Sequence, residues 1–241
     1  MILLTGGSGR LGTELRNLRT DLICPAHKEV DITDCGSINR FVEGKEFDLI
    51  VNLAAYTDVD KAEIERNECF RINVLGAINL KSLKKPILHI STEYVFDGAK
   101  GNYKETDKPN PLGYYAKTKL MAEEHLTRHK IVRLLFKPRP WPYDEAYDNQ
   151  FTSGDYTDVI AKELSLAIDL FGKLPNIIHI GTGRKSMYEL ALKTKKDVKT
   201  NKLTDKKRPL DTSLDCSVWE RIKNDSSIET ELRSKHIRRI K

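Results

Sequence analysis

The chain opens with Met1–Leu15, MILLTGGSGRLGTEL, and the reading of this stretch decides the fold. Ile2 to Leu4, with Met1, form an apolar run that ends in Thr5. Gly6, Gly7, Gly9 and Gly12 follow, and Leu11, Leu15 and Leu18 recur at helical spacing. The order reads as a buried strand, a tight glycine turn and an amphipathic helix. Glycine lets the chain turn sharply, lets a pyrophosphate approach the backbone and lets the helix pack close to the sheet. The free N–H groups and the positive dipole end of the helix then face phosphate. The spacing is G-x-x-G-x-x-G (Gly6, Gly9, Gly12), not the better-known G-x-G-x-x-G. Its place at the end of an apolar strand is what points to a dinucleotide.

Outward from the turn, Asp21–His27 (DLICPAH) reads as a short second strand. Thr33 or Asp34 is a candidate N-cap for a helix carrying Ile38, Phe41 and Val42 on one face. Asp48–Ala55 (DLIVNLAA) is almost uninterruptedly apolar, as expected of a parallel strand covered on both faces. Cys69, Ile72, Gly76, Leu80 and Leu83 repeat at helical spacing before Pro86, and Ile87–Ile90 starts another strand. A helix from Leu112 to His129 and a strand from Ile131 to Phe136 follow. The alternation predicts an α/β fold, a doubly wound (Rossmann) parallel sheet. At Lys137–Gln150 (KPRPWPYDEAYDNQ) periodicity is lost among three prolines. The dinucleotide-binding domain is therefore expected over 1–137. A small C-terminal lobe, interleaved with the sheet, is expected over 138–241. Within the lobe the pattern predicts a helix over Tyr156–Phe171, a strand over Ile177–Ile180 and a basic helix over Tyr188–Lys199. The tail after Leu203 gives no assignable pattern.

With 39% apolar and 32% charged residues in 241, the composition suits a soluble globular protein. No stretch approaches the ~20 apolar residues of a membrane span and there is no charged-then-apolar leader, so a cytoplasmic protein without a membrane partner is expected. Cys24, Cys35, Cys69 and Cys216 are scattered, without a C-x-x-C pair, and read as reduced thiols. The net charge of +6 sits at one end: Arg184–Lys241 holds 17 basic and 9 acidic residues. Such an end can hold a phosphorylated ligand or be a solvated lysine-rich surface. The lack of aromatic residues interleaving the run speaks against nucleic acid.

In such a sheet, ligands sit beyond the carboxyl ends of the strands. The residues there are Gly6–Gly12, Ala54–Thr57 and Ser91-Thr92. In the following helix Tyr115 and Lys119 lie four apart and share one face. A phenol, an ammonium and a hydroxyl that converge make a workable carbonyl reductase. The ammonium lowers the phenol's pKa towards working pH, the phenol passes a proton to the developing alkoxide, and Thr92 holds the carbonyl oxygen. Tyr-x-x-x-Lys is common on helix surfaces; its weight here comes from following the glycine turn and Ser91-Thr92 in order. His125 and His129 have the i, i+4 spacing of zinc ligands but no third ligand, so no metal is expected. His89 and His179 lie in apolar strands and read as core. Ser8 lacks the final glycine of a G-x-S-x-G elbow. Trp141 and Tyr143 either stack on a base or sugar or pack the proline loop. Around the end of the second strand, Cys24–Lys28 offers no carboxylate before Glu29, and Arg10 lies in the glycine turn. A 2′-phosphate would meet positive charge there, so NADPH should bind more tightly than NADH.

The segments TGGSGRLGTEL, VNLAAYTDVDKAE, the Asn73 helix, ISTEYVFDG, KETDKPNPLGYYAKTKLMAEEHL and IVRLL cover most of residues 1–135. Through them the chain resembles the extended short-chain dehydrogenase/reductases, and within these the dTDP-4-dehydrorhamnose reductase family. The resemblance implies a catalytic triad of Thr92, Tyr115 and Lys119, with Lys119 also holding the nicotinamide ribose. It implies that Gly6, Gly9, Arg10, Leu11 and Gly12 bind the pyrophosphate and that Asp31 and Ile32 bind the adenine. Leu53, Ala54, Ala55, Tyr56 and Asn73 would serve the rest of the cofactor, and Tyr94 and Phe96 would lie near the sugar. The implied reaction is reduction of a nucleotide-linked 4-keto-6-deoxysugar by NADPH, with NAD as the alternative cofactor, in nucleotide-sugar (dTDP-rhamnose) biosynthesis. The implied partner is a nucleotide-diphosphate sugar, and a homodimer is compatible with it.

Two departures bear on the substrate. Glu93 stands where the family usually has Asp, and the chain after IVRLLF is several tens of residues shorter than the family's, in a part that usually lies beside the substrate. RPLDTSLD (Arg208–Asp215) still resembles a late segment of the family. Of the cations left for a diphosphate, Arg184, Lys185 and Arg208, the choice is Arg208: Pro209 limits its backbone and a guanidinium can make paired hydrogen bonds. The alternative is that Arg208 belongs to a solvated basic run. The rival reading of the whole chain is a non-catalytic dinucleotide-binding subunit resembling the regulatory (beta) subunit of methionine adenosyltransferase.

Overall fold

The computed structural model describes residues 1–225. Its centre is a sheet of six parallel strands: β1 (Ile2–Thr5), β2 (Leu22–Ile23), β3 (Leu49–Asn52), β4 (Ile87–Thr92), β5 (Lys130–Leu134) and a last strand, Ile177–His179. Across the sheet the order is Ile177–His179, β5, β4, β3, β1, β2. The chain thus steps from β1 outwards to β2, then crosses back to place β3 on the other side of β1, with Thr5 level with Asn52. Such a reversal of strand order opens a crevice at the carboxyl ends of β1 and β3.

Side chains alternate across the strands, so the near-continuous apolar runs supply two cores. On one face Leu4, Val51, Leu88 and Val132 meet Leu11 and Leu15 of α1 (Arg10–Leu18), Ile160 and Leu164 of a long helix, Thr157–Asp169, and Trp219 of a short one, Ser217–Lys223. On the other face Leu3, Ile50, Ile87 and Ile131 meet Ile38 of α2 (Cys35–Val42), Leu80 and Ala122. Asp34 caps α2 by accepting from the Gly36 amide at 2.7 Å. The region 65–83 is helical in three pieces: α3 (Arg66–Phe70), a π turn at Arg71–Leu75, and α4 (Gly76–Lys81). Beside these lies α5 (Tyr114–His125).

Several expected elements are shorter than their sequence patterns, among them the second strand and the basic helix. The second strand pairs only at Leu22–Ile23, and the chain leaves the sheet at Cys24. The basic helix starts at Met187 on a Ser186/Glu189 capping box and stops at Leu192. Beyond it the lysine-rich run 193–199 offers only Val198 to bury. The next residue but one, Thr194, is instead tied down, its hydroxyl accepting from the Trp141 amide at 3.0 Å. Lys199–Asn201 then pairs with Glu145–Tyr147 as a short strand.

After residue 138 the chain crosses back into the sheet domain three times, with Thr157–Asp169 packing on α1, Ile177–His179 completing the sheet and Ser217–Lys223 covering it through Trp219. What remains outside is small. Its own core is Trp141, Tyr156, Met187, Leu190 and Val198. The segment 208–215 is anchored by Ser153, which exchanges hydrogen bonds with Leu214 at 2.9 Å. Among the described residues no helix is long and apolar enough to cross a membrane. The last part of the basic stretch, 226–241, lies outside the described residues.

Candidate active site

A cleft of about 760 Å³ lies over the crevice between β1 and β3. Its floor at one end is the glycine turn. Gly6 has φ +72°, and a Cβ there would lie 2.5 Å from the Ala54 amide nitrogen; a Cβ on Gly12 would lie 2.5 Å from the Gly6 carbonyl oxygen. Only hydrogen fits at either place, so β1, the turn and α1 are in backbone contact and the N-terminus of α1 faces the cleft. Gly9, Arg10 and Leu11 line it as well.

The far end of this lobe of the cleft is walled by Pro25, His27, Asp31 and Ile32. Asp31 accepts from the Thr33 amide at 2.8 Å, and that bond holds its carboxyl below the usual range against the opposing effect of burial. Glu29 does not line the cleft; its carboxylate accepts from the Ala26 amide at 2.7 Å.

Leu53, Ala54 and Ala55 follow β3 along the wall. Two neighbours expected with them stand elsewhere. Asn73, in the π turn, is buried: its Oδ1 accepts from the Tyr56 amide at 2.8 Å, and its Nδ2 donates to the Thr118 hydroxyl at 2.9 Å. It clamps the loop after β3 to α5 without reaching the cleft. The Tyr56 ring is drawn outwards, its hydroxyl donating to Glu65 at 2.5 Å.

On the opposite wall Thr92 ends β4, and Tyr115 and Lys119 rise from the first two turns of α5; all three line the cleft. Burial pushes the Tyr115 phenol up to about 12, with a hydrogen bond from Thr92 pulling the other way. Burial also brings Lys119 down to about 8, opposed by the charges of Glu123 and Cys69. The expected descent of the phenol towards neutral pH is therefore absent in the protein alone, because desolvation of the phenolate dominates. Lys119 Nζ donates to the Ile90 carbonyl at 2.6 Å. Behind this wall Arg133 and Glu123 form a buried ion pair at 2.6 Å, which the Ser91 hydroxyl joins by donating to Glu123. It braces β4, β5 and α5 against one another.

At the other mouth of the cleft Tyr94 is in place, its hydroxyl accepting from Gln150 at 3.2 Å. Phe96 is not. It is fully buried, stacked on Tyr103 at 4.2 Å and edge-on to His179, in a satellite core with Val95 and Leu214. An apolar ring gains more there than at a wet sugar site. Of the three candidate cations only Arg208 lines the cleft; it is 29% exposed and pairs with Asp60 at 2.6 Å. Arg184 lies over the Phe151 ring and pairs with Asp211, and Lys185 donates to the Gly154 and Gly183 carbonyls. Phe136, Lys137 and Tyr143 line the cleft too. The first two stand just past the carboxyl end of β5, the position at which a ligand contact is expected in this kind of sheet. Burial, then Arg208, brings Lys137 down from its ordinary value.

The family model described as RmlD substrate binding domain matches residues 1–165. The dTDP-4-dehydrorhamnose reductase of Aggregatibacter actinomycetemcomitans is 36% identical over 160 residues, covering 62% of this chain and 54% of that protein. The spore coat polysaccharide biosynthesis protein SpsK of Bacillus subtilis (strain 168) is 31% identical over 226 residues, covering 79% of this chain and 76% of that protein. A crystal structure of a hypothetical dTDP-4-dehydrorhamnose reductase from Sulfolobus tokodaii aligns with a TM-score of 0.79 at 32% identity, covering 92% of this chain and 94% of that one. The matched part thus spans about half the length of the first relative and nearly all of the solved structure.

Proposed function

Because the chain belongs to the family described as RmlD substrate binding domain, we propose that it is an NADPH-dependent reductase of a nucleotide-linked 4-keto-6-deoxysugar, of the dTDP-4-dehydrorhamnose reductase type, working in the cytoplasm. One observation carries the reading: a single cleft joins the glycine turn to Thr92, Tyr115 and Lys119.

The residues present fit the cofactor. The turn is a cradle that a Cβ at Gly6 or Gly12 would fill. Arg10 lines the cleft, and the nearest carboxylate after β2, Glu29, is occupied by the Ala26 amide. A 2′-phosphate beside Arg10 therefore meets positive charge, with the Glu29 carboxylate already engaged, which favours NADPH over NADH. When bound, the reduced nicotinamide supplies a hydride to the keto carbon. The chain's own part is proton chemistry and positioning. The Thr92 hydroxyl holds the carbonyl oxygen. The Tyr115 phenol, protonated across the physiological range with its pKa at about 12, gives its proton to that oxygen as charge develops. Lys119, one turn away, favours the phenolate when it is charged. Arg208 and Lys137, at the same mouth as Tyr94, are the cations for the diphosphate of the sugar nucleotide.

The test is NADPH oxidation against a panel of dTDP- and UDP-4-keto sugars, with NADH in parallel. Turnover of at least one, faster with NADPH, is expected. NADPH binding without turnover of any would overturn the reading. It would favour a non-catalytic dinucleotide-binding subunit, for which the shortened lobe argues.

A further inference from the structure

A chain of polar side chains runs through the sheet beneath the cleft. From β1, the Thr5 hydroxyl donates to Asn52 Oδ1 at 2.7 Å. The Ala54 amide, at the cleft wall, donates to the same oxygen at 3.1 Å. Asn52 Nδ2 lies 3.0 Å from His89 Nδ1, and His89 Nε2 lies 3.3 Å from Lys119 Nζ. Asn52, His89 and Lys119 are each no more than 2% exposed.

The donors and acceptors in this chain can be assigned. The Ala54 N–H can only donate, so the Asn52 atom it faces is the carbonyl oxygen, and Nδ2 must point at His89. Nδ2 can only donate, so His89 Nδ1 accepts and carries no proton. A neutral imidazole then carries its proton on Nε2, aimed at Lys119. An ammonium there would set donor against donor in a buried place. A neutral amine resolves the conflict: its lone pair accepts from Nε2–H, one N–H goes to the Ile90 carbonyl, and one is left for the cleft. We propose that His89, fixed as the Nε2–H tautomer by Asn52, is a positioning residue that holds Lys119 as a neutral amine in the resting protein and so sets the pH at which Lys119 becomes charged.

The surroundings of Lys119 agree. On its own helix it shares a face with Tyr115, and Glu123 lies one turn further on. Cys69 faces it from α3 and His89 from β4. Glu123 is the one firm anion in that set, and it is taken up by Arg133 and Ser91. Burial brings Lys119 only to about 8, and the His89 Nε2–H, a donor set against the ammonium, lowers it further; burial first of all pushes His89 itself well below its ordinary value.

The tautomer can be read without turnover, in protein labelled with ¹⁵N at its histidines and free of added ligand. Long-range ¹H–¹⁵N spectra should show His89, assigned by the signal lost in His89→Gln, as the neutral Nε2–H form from about pH 6 to 8. The Nδ1–H form or an imidazolium in that range would overturn the proposal. The consequence for catalysis rests on the reductase reading above and has its own readout. A glutamine at 89, its carbonyl taken by Asn52 Nδ2, keeps a donor on the lysine, whereas His89→Leu removes it. In His89→Leu the charged form then persists to higher pH, and the alkaline limb of kcat/KM should move up by about one pH unit, the equivalent of one buried hydrogen bond. An unmoved limb in His89→Leu would overturn the proposal. A protein that reduces no keto sugar but shows the Nε2–H form keeps the tautomer assignment and loses only the reductase reading.

Discussion

Replacing Arg208 by alanine tests whether the short lobe still reads a sugar nucleotide. The guanidinium lines the cleft at 29% exposure and pairs with Asp60 at 2.6 Å, itself 71% exposed, and more loosely with Asp205 at 3.9 Å. A charge-assisted hydrogen bond to a diphosphate contributes about 1.5–3 kcal/mol. The pair with Asp60 is an exposed ion pair worth under ~1 kcal/mol, which the diphosphate must displace or share. The difference, about 1–2 kcal/mol, is roughly a 5–30-fold change in affinity. Steady-state NADPH oxidation at varied nucleotide sugar should therefore show KM raised about 5–30-fold with kcat nearly unchanged, since a remote diphosphate contact is made equally in ground and transition states. NADPH affinity, followed by fluorescence titration at moderate salt, should hold. Arg208→Lys should recover part of the loss, because an ammonium lacks the paired geometry. Asp60→Asn should leave KM equal or lower. An unchanged KM in the alanine variant would return Arg208 to a surface pair, and an equal loss of NADPH affinity would assign the cation to the cofactor.

Tyr115→Phe should lower kcat by roughly 10²–10⁴-fold with NADPH binding intact, and normal turnover would remove Tyr115 as the acid. Gly12→Ala drives a Cβ to 2.5 Å from the Gly6 carbonyl oxygen, backbone that cannot swing aside; a stability loss of about 1–3 kcal/mol with weakened NADPH binding is expected, and unchanged Tm and Kd would refute the close packing of α1 on the turn. Glu93, wholly buried, is raised from 4.5 to about 7 by desolvation. A raised carboxyl contributes stability at low pH that is lost as pH climbs from about 4.5 through 7, so Glu93→Gln should gain on the parent by up to ~3 kcal/mol between pH 5 and 8; parallel Tm curves would contradict this.

The cofactor half of the site was legible because it is written in short contiguous segments. A strand, a glycine turn and a helix are local, and each carboxyl end that faces the cleft follows its own apolar run. Spacing fails where a side chain's destination depends on what packs against it. Asn73 and Tyr56 are in the expected segments. Yet Thr118 of α5 and Glu65 decide where their side chains go, and neither is within a helical turn of them in sequence. Phe96 is two residues from Tyr94 on a chain that turns between them, so one faces the cleft and the other the satellite core. The basic helix failed for a different reason: its charged residues favour helix, but after Leu192 only Val198 is left to bury, so tertiary contacts end it.

The substrate half is assembled across far greater separations, and this explains how so short a lobe still reaches the cleft. Arg208 meets Asp60 across 148 positions, and the Thr212 hydroxyl meets Glu93 at 2.7 Å across 119. Glu93 directly follows Thr92. The segment bearing Arg208 is therefore hung from the end of β4, at the residue next to the one that would hold the carbonyl oxygen, and is held again by Ser153 against Leu214. A shorter carboxylate at 93 would have one carbon less of reach towards Thr212. The departure at 93 and the shortened lobe thus meet in a single hydrogen bond. The position of Arg208 follows from its tie to the sheet, not from the bulk of the lobe around it.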